Sequence, residues 1–421
     1  MAGKAAAAAD VTELIVYLMK KLVLSAGLLA FLWTSSLKAQ GVADTLTSPV
    51  RKLTFEEANF VSSYYSQTGN NAAVTGGTGS EKLTDVGGGF NVTFSMLDRK
   101  SRKNSFTLDA SIEKYTSASS DQIDPATVSS ASRTDEHFYP SLVWSRKNEK
   151  TGHTFGLSAA YSTEFDYKSY GGGLFYTKTT PDNNSEFTAR LNVFLDTWKI
   201  ILPAELRPEG YPTGAREDSE GIPYKPRNSY NLSFGYSRVI NPDLQMMLMV
   251  DPSYQEGLLS TPFHRVYFND NSLRVEKLPG KRMKLPASIR ANYFVGDRLV
   301  LRSFYRFYAD DWGMTAHTAS LETVFKVSPF FSVTPHYRFN AQTGIDDFAP
   351  YGESSPVSEY YTSDFDLSKF SSHFAGLGFR FSTPGGILGV SSWKSMELRY
   401  GYYGRSTGLK AHIVSLSVQF R

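Results

Sequence analysis

The side chains of this chain best suited to act on a solute are charges placed in segments where polar and apolar residues alternate. Arg290, Arg302, Arg306, Arg338, Arg380 and Arg399 are the basic set, and Asp109, Glu113, Glu164, Asp196, Glu322 and Glu397 the acidic one. Alternation with period two sends successive side chains to opposite faces of a β-strand, so all twelve charges share the polar phase. If the strands close around a lumen, opposed basic and acidic rows would create a transverse field of the kind by which pores orient and select solutes. Equally, neighbouring Arg and Glu could neutralise one another and stiffen the wall, since any buried charge needs a partner.

Other chemistry finds less support. Nucleophilic catalysis needs a serine and a histidine close in space. His412 lies near Ser415 and Ser417 but in the opposite phase, and His336 shares its phase with Ser332 and Thr334 as ordinary wall neighbours do. The absence of cysteine removes disulfides, thiolate zinc sites and thiol nucleophiles. Asp310-Asp311 and Asp346-Asp347 with Glu353 offer oxygens to a calcium ion, but no ligand spacing matches a known loop, and solvated acids are the simpler reading. The triplets Gly87-Gly88-Gly89 and Gly171-Gly172-Gly173 lie next to strands and read as bends. Neither an enzyme, a cofactor nor a metal is expected.

The elements that must position the charges are many short strands. His412, Val414, Leu416, Val418 and Phe420 alternate with Ser415, Ser417, Gln419 and Arg421; Phe90 to Met96 and Phe106 to Ile112 repeat the pattern. Further strands are expected at Phe155 to Thr163, Phe187 to Leu195, Tyr230 to Tyr236, Leu244 to Val250 and Ala287 to Tyr293. The series continues at Leu299 to Phe307, Ala319 to Phe325, Phe331 to Phe339, Ala375 to Phe381 and Met396 to Tyr402. Short turns, as at Ile240-Asn241-Pro242-Asp243 and Val295-Gly296-Asp297, alternate with longer segments at Thr68 to Glu81, Thr116 to Ser132, Lys199 to Arg227, Gln255 to Arg282 and Ala341 to Lys369. Short turns on one rim and long loops on the other predict an all-β fold, a closed antiparallel up-and-down transmembrane barrel of about 16 strands, between about 14 and 18. An even strand number puts both chain ends on the periplasmic side. Within the long loops, Val266-Tyr267-Phe268 and Leu273-Arg274-Val275 predict a small hairpin; these loops either fold inward or stay on the surface. Tyr64-Tyr65, Trp144, Trp198, Tyr236, Tyr308, Trp312, Trp393, Tyr400, Tyr402 and Tyr403 resemble an interfacial aromatic girdle.

The composition agrees. The chain is 14% aromatic, with 29 Phe and 25 Tyr, yet its mean hydropathy is slightly negative, as suits strands apolar on alternate positions only. Of the formal charge of +3, the segment to Ala39 carries two units, leaving the remainder nearly neutral and without the basic face a nucleic acid would need. Met19-Lys20-Lys21 followed by the apolar run Leu22 to Trp33 reads as a signal peptide over residues 1–39, with Met19 the natural start and cleavage after Ala39. Residues 40–52 form a short periplasmic lead and 53–421 the barrel.

Three segments resemble a family of outer-membrane β-barrels of unknown function found in Bacteroidetes and some Proteobacteria. They are Tyr64-Tyr65-Ser66-Gln67-Thr68-Gly69, the stretch from Gly257 to Val266 (GLLSTPFHRV), and the stretch from Tyr360 to Ser368 (YYTSDFDLS). The resemblance implies a Gram-negative outer-membrane barrel, and brings no known activity. The expected partners are outer-membrane lipid, the barrel-assembly machinery, which would read the terminal strand, and small solutes. The function expected is a channel for small hydrophilic solutes; the alternative is a structural barrel plugged by its own loops or by a partner.

Overall fold

The computed structural model describes residues 52–116, 134–211 and 221–421. The expected signal peptide, nearly all of the lead and the loop after Thr116 lie outside these residues. The alternating segments form β1 (Thr54–Thr68), β2 (Leu83–Leu97), β3 (Lys103–Thr116), β4 (Thr134–Asn148), β5 (His153–Thr163), β6 (Tyr167–Thr179), β7 (Ser185–Lys199) and β8 (Tyr224–Asn241). After β9 (Leu244–Val250) and β10 (Ser253–Gly257) come a small hairpin, β11 (Arg265–Tyr267) and β12 (Leu273–Val275), and then β13 (Lys281–Val295). The series ends with β14 (Leu299–Asp310), β15 (Thr315–Ser328), β16 (Phe331–Gln342), β17 (Phe370–Ser382), β18 (Trp393–Arg405) and β19 (Lys410–Phe420).

Strands β9 and β10 are two segments of one barrel strand, since each pairs with β8 on one side and β13 on the other. The interruption falls at Asp251-Pro252, where proline has no N–H for the ladder. With β11 and β12 standing apart as their own two-stranded sheet, the wall therefore has sixteen strands, all antiparallel to their neighbours. It closes where β1 pairs with β19, from Ala58 opposite Phe420 to Thr68 opposite Lys410.

Register explains the alternation. Leu157, Leu174, Leu191 and Leu232 stand in one row across β5 to β8, and Leu108 faces Leu142. Leu108, Leu142, Leu174, Leu232, Leu321 and Leu398 belong to a large set of exposed apolar side chains on the outer face. An apolar exterior of this extent on a closed wall is a lipid-facing surface, because the ladders run from strand to strand around the whole ring and no edge is left. The inner phase is polar: Thr93 and Thr107 share a hydrogen bond of 3.0 Å, as do Thr177 and Thr188 at 3.1 Å.

Two strands were hidden and two expectations need correction. Strands β4 and β6 escape a reading by alternation, because Pro140 and the charges at either end disguise the one and three glycines the other. The glycine triplets are strand interiors, not bends: Gly87 to Gly89 lie in β2 and Gly171 to Gly173 in β6. Crowding is the reason at the inward positions of β6, where a Cβ on Gly173 would stand 2.3 Å from Asn192 Oδ1 and 2.5 Å from Ser158 Oγ, and one on Gly171 2.8 Å from the Phe194 ring. Finally, long and short connections do not alternate strictly, because three on the long-loop rim, 164–166, 311–314 and 406–409, are as short as turns.

Candidate functional site: the lumen and its cap

The loops of one rim make a cap. The 258–280 loop carries the hairpin, with Arg265 opposite Val275 and Tyr267 opposite Leu273. It joins the 343–369 loop through bridges between Phe268 and Ser354 and between Lys277 and Tyr361. Val266, Phe268 and Tyr361 form one buried cluster; Leu278, Trp312, Met314 and Ile345 form another. Arg265 fastens a third and a fourth loop, donating from Nη1 to the Val74 carbonyl at 2.7 Å and from Nε to Glu205 at 2.5 Å. The same pair holds the Glu205 carboxyl below the usual range. Beneath, Arg282 donates to Asp310, whose carboxylate also accepts from Tyr308 and from the N–H groups of Trp312 and Met314, and is wholly buried.

A cavity of about 500 Å³ separates this cap from the wall of β1 and β16 to β19. Tyr65, Arg338, Phe374, Tyr403 and Arg405 line it from below, and His264, Asp364 and Asp366 from the cap. A second, of about 300 Å³, is lined by β4 to β8, β10 and β13, with His137, Ser162, Tyr167, Asp196, Arg227 and Lys284 on its surface. In the cap, burial pushes the Asp364 carboxyl up to about 6. Burial would lower His264, but the neighbouring Glu276 and Asp364 carboxylates outweigh it and raise it.

The register places the twelve charges as follows. Arg302 donates to Glu322 at 2.7 Å, Arg399 donates to Glu322 at 3.1 Å and to Glu397 at 2.5 Å, so four of them form one ladder on the β14 to β18 wall. Gly378 leaves room for it, since a Cβ there would lie 3.3 Å from Arg399 Cγ. Arg290 stands over the Phe304 ring and Arg338 over Phe374, at 5.8 and 5.1 Å from the ring centres. Arg306 is level with Ser288 and Thr318, and Arg380 donates to Ser395 at 3.4 Å. On the other side, Asn91 donates to Asp109 at 2.5 Å, and Tyr167 donates to Asp196. Glu113 and Glu164 each approach His137 Nδ1 to 3.8 Å. The acids Asp109, Glu113, Glu164 and Asp196 thus belong to the β3 to β7 arc and the arginines to the β13 to β18 arc, with Glu322 and Glu397 neutralised inside the latter.

Reading by sequence passed over several groups. His137 Nε2 lies 2.6 Å from Ser162 Oγ, on a strand the alternation hid. Arg405, paired with Asp366 at 2.6 Å, and Lys284 follow the inward phase and could have been found by it. His412 Nδ1 and the Tyr400 hydroxyl share a hydrogen bond of 2.8 Å on the lipid face, away from Ser415 and Ser417. The girdle expectation holds only in part: Tyr65, Tyr308 and Tyr403 face the lumen beneath the cap, and Trp312 is in the cap core. Asp310 and Asp311 are committed to Arg282 and to the Met283 N–H, not to a shared ion site with the 346–353 acids. Among the described residues, groups of three or more metal-type ligands within 4.8 Å of one another are two: His264, Glu276 and Asp364, and Asp135, Glu164 and Asp166.

A closed sixteen-stranded wall, apolar outside and charged within, defines a β-barrel of the outer-membrane type. The chain belongs to the family described as Protein of unknown function (DUF3570), which it matches over residues 139–409. No curated protein matches it in sequence. Among solved structures it is similar to the deltaS2S3 mutant of the TodX monoaromatic hydrocarbon channel, at 9% identity and a TM-score of 0.40, over 89% of this chain and 90% of that one. A BenF-like porin from Pseudomonas fluorescens Pf-5 shows 7% identity and 0.42, over 86% and 98%. OccD3 (OpdP) of Pseudomonas aeruginosa shows 9% and 0.42, over 91% and 97%.

Proposed function

We propose that the protein is an outer-membrane channel for small hydrophilic solutes, with the turn rim and both ends of the barrel in the periplasm and the cap at the outer mouth. The observation that carries this reading is the charged lumen, where Asp109, Glu113, Glu164 and Asp196 stand on the β3 to β7 side with Arg190 among them, and the arginines of β13 to β18 stand on the other. Such opposed charges orient dipolar and charged solutes in transit. Reconstitution in planar bilayers tests it: stepwise conductance is expected, and a folded barrel silent both intact and with residues 263–276 replaced by a Gly-Ser linker would sink it. A second reading, a barrel plugged by its own loops within an envelope assembly, draws on the apolar core of the cap. It expects silence until the linker variant is made, and a stable partner on purification at native expression.

A further inference from the structure

The two loop segments that carry the family resemblance meet inside the cap, and what they bring together is a set of ligands. His264 comes from one, Asp364 from the other, and Glu276 from the strand-like return between them. His264 Nδ1 is buried and has no hydrogen-bond partner. It faces Glu276 Oε1 at 3.5 Å and Asp364 Oδ2 at 3.9 Å. These separations are long for hydrogen bonds. The first lies close to the edge of a coordination tetrahedron, because bonds of about 2.0–2.1 Å set neighbouring ligands roughly 3.3–3.4 Å apart, and the ligand atoms of all three residues lie within 4.8 Å of one another.

Both carboxylates are already oriented, as metal ligands need to be. The Thr362 hydroxyl donates to Glu276 Oε1 at 2.5 Å and accepts from the Asp364 N–H at 3.0 Å. The Thr261 N–H donates to Glu276 Oε2 at 2.6 Å, and Asp364 Oδ1 accepts from the Asp366 N–H at 2.9 Å. Asp366 is itself engaged by Arg405. Charge points the same way. Two carboxylates against at most one imidazolium leave an excess negative charge inside the cap, whereas a divalent ion with neutral imidazole balances them.

We propose that His264 Nδ1, Glu276 Oε1 and Asp364 Oδ2 bind one divalent cation of the zinc class, stapling the 258–280 loop to the 343–369 loop. One imidazole nitrogen with two carboxylate oxygens suits zinc, while calcium prefers an all-oxygen shell of six to eight ligands. His264 and Asp364 also border the larger cavity, which leaves a fourth position to water. The inference does not depend on whether the barrel conducts.

The test uses the full-length barrel in detergent, stripped with a chelator and titrated with zinc chloride by calorimetry, with elemental analysis of the product. One equivalent per barrel is expected, with affinity at least tenfold weaker in His264→Gln and in Asp364→Asn and unchanged in Asp347→Asn, which alters the same loop outside the cluster. Zinc should also slow proteolysis within residues 258–280 in the parent protein and not in the two variants. Circular dichroism and heat-modifiable gel mobility establish that each variant retains its barrel. A stripped parent that takes up no zinc at micromolar concentration, or folded variants that bind as the parent does, would overturn the proposal.

Discussion

Exchanging Leu108 for arginine and, separately, Ser111 for arginine sets the two faces of one strand against each other. Both positions lie near the middle of β3, but Leu108 faces outward at 45% exposure, while Ser111 is level with Gly89 on the lumen face, two residues from Asp109 and from Glu113. A cationic side chain on the lipid face at mid-depth costs about 2–4 kcal/mol. Losing roughly half the transfer free energy of a leucine adds about 1 kcal/mol. Leu108→Arg should therefore destabilise by about 3–5 kcal/mol, and Ser111→Arg, beside two carboxylates in a wet lumen, by no more than about 1 kcal/mol. The gap corresponds to at least about thirtyfold in the folding equilibrium, and to about two orders of magnitude at the middle of the range. Urea titration of refolding into lipid vesicles, followed by tryptophan fluorescence and gel mobility, measures both. Equal losses, or a larger loss at Ser111, would refute the assignment of faces.

Asp310→Ala should cost about 3–5 kcal/mol, because it strands Arg282 beneath the cap without its buried carboxylate, and a lower urea midpoint checks it. Glu322→Gln leaves Arg302 without its carboxylate while Arg399 keeps Glu397, and the reversal potential across a salt gradient should move toward anion preference. Val266→Asp puts a charge where the side chain has no exposure at all; the cap should open to protease while the barrel keeps its heat-modifiable mobility. In the β2–β3 turn, Asp98 is held at about 2, first by the Arg102 N–H and then by its guanidinium. A depressed carboxyl stabilises the fold above its ordinary pKa near 4 and loses that contribution as the pH falls toward 2. The stability difference between parent and Asp98→Asn should shrink over that window.

The barrel was legible because lipid and water impose opposite demands on alternate residues, and eleven or more residues per strand give that signal room, as in Lys410–Phe420. It failed where another constraint overrode it. In β6 the lumen side is crowded by Phe194 and Asn192, so glycine replaces the polar partner. The inward phase of charges such as Arg302 and Glu322 follows from period two, yet their joining to Arg399 does not, because it spans three strands of register that no single strand encodes. The cap was least legible: residues such as His264 and Asp364 carry no periodicity, and a hundred residues of chain separate the two.

Gln419 donates to Glu57 across 362 residues of chain, and the β1 to β19 ladder closes the longest loop the molecule contains. Contacts of such sequence separation form late, since the ordering entropy of everything between them comes first. A ribosome releasing this chain therefore delivers no finished portion of wall: fourteen or fifteen strands leave two open edges, each a template for foreign pairing. Completion arrives only when β19 pairs with β1, and a chain lacking β19 should be lost to aggregation or proteolysis rather than persist as a smaller barrel.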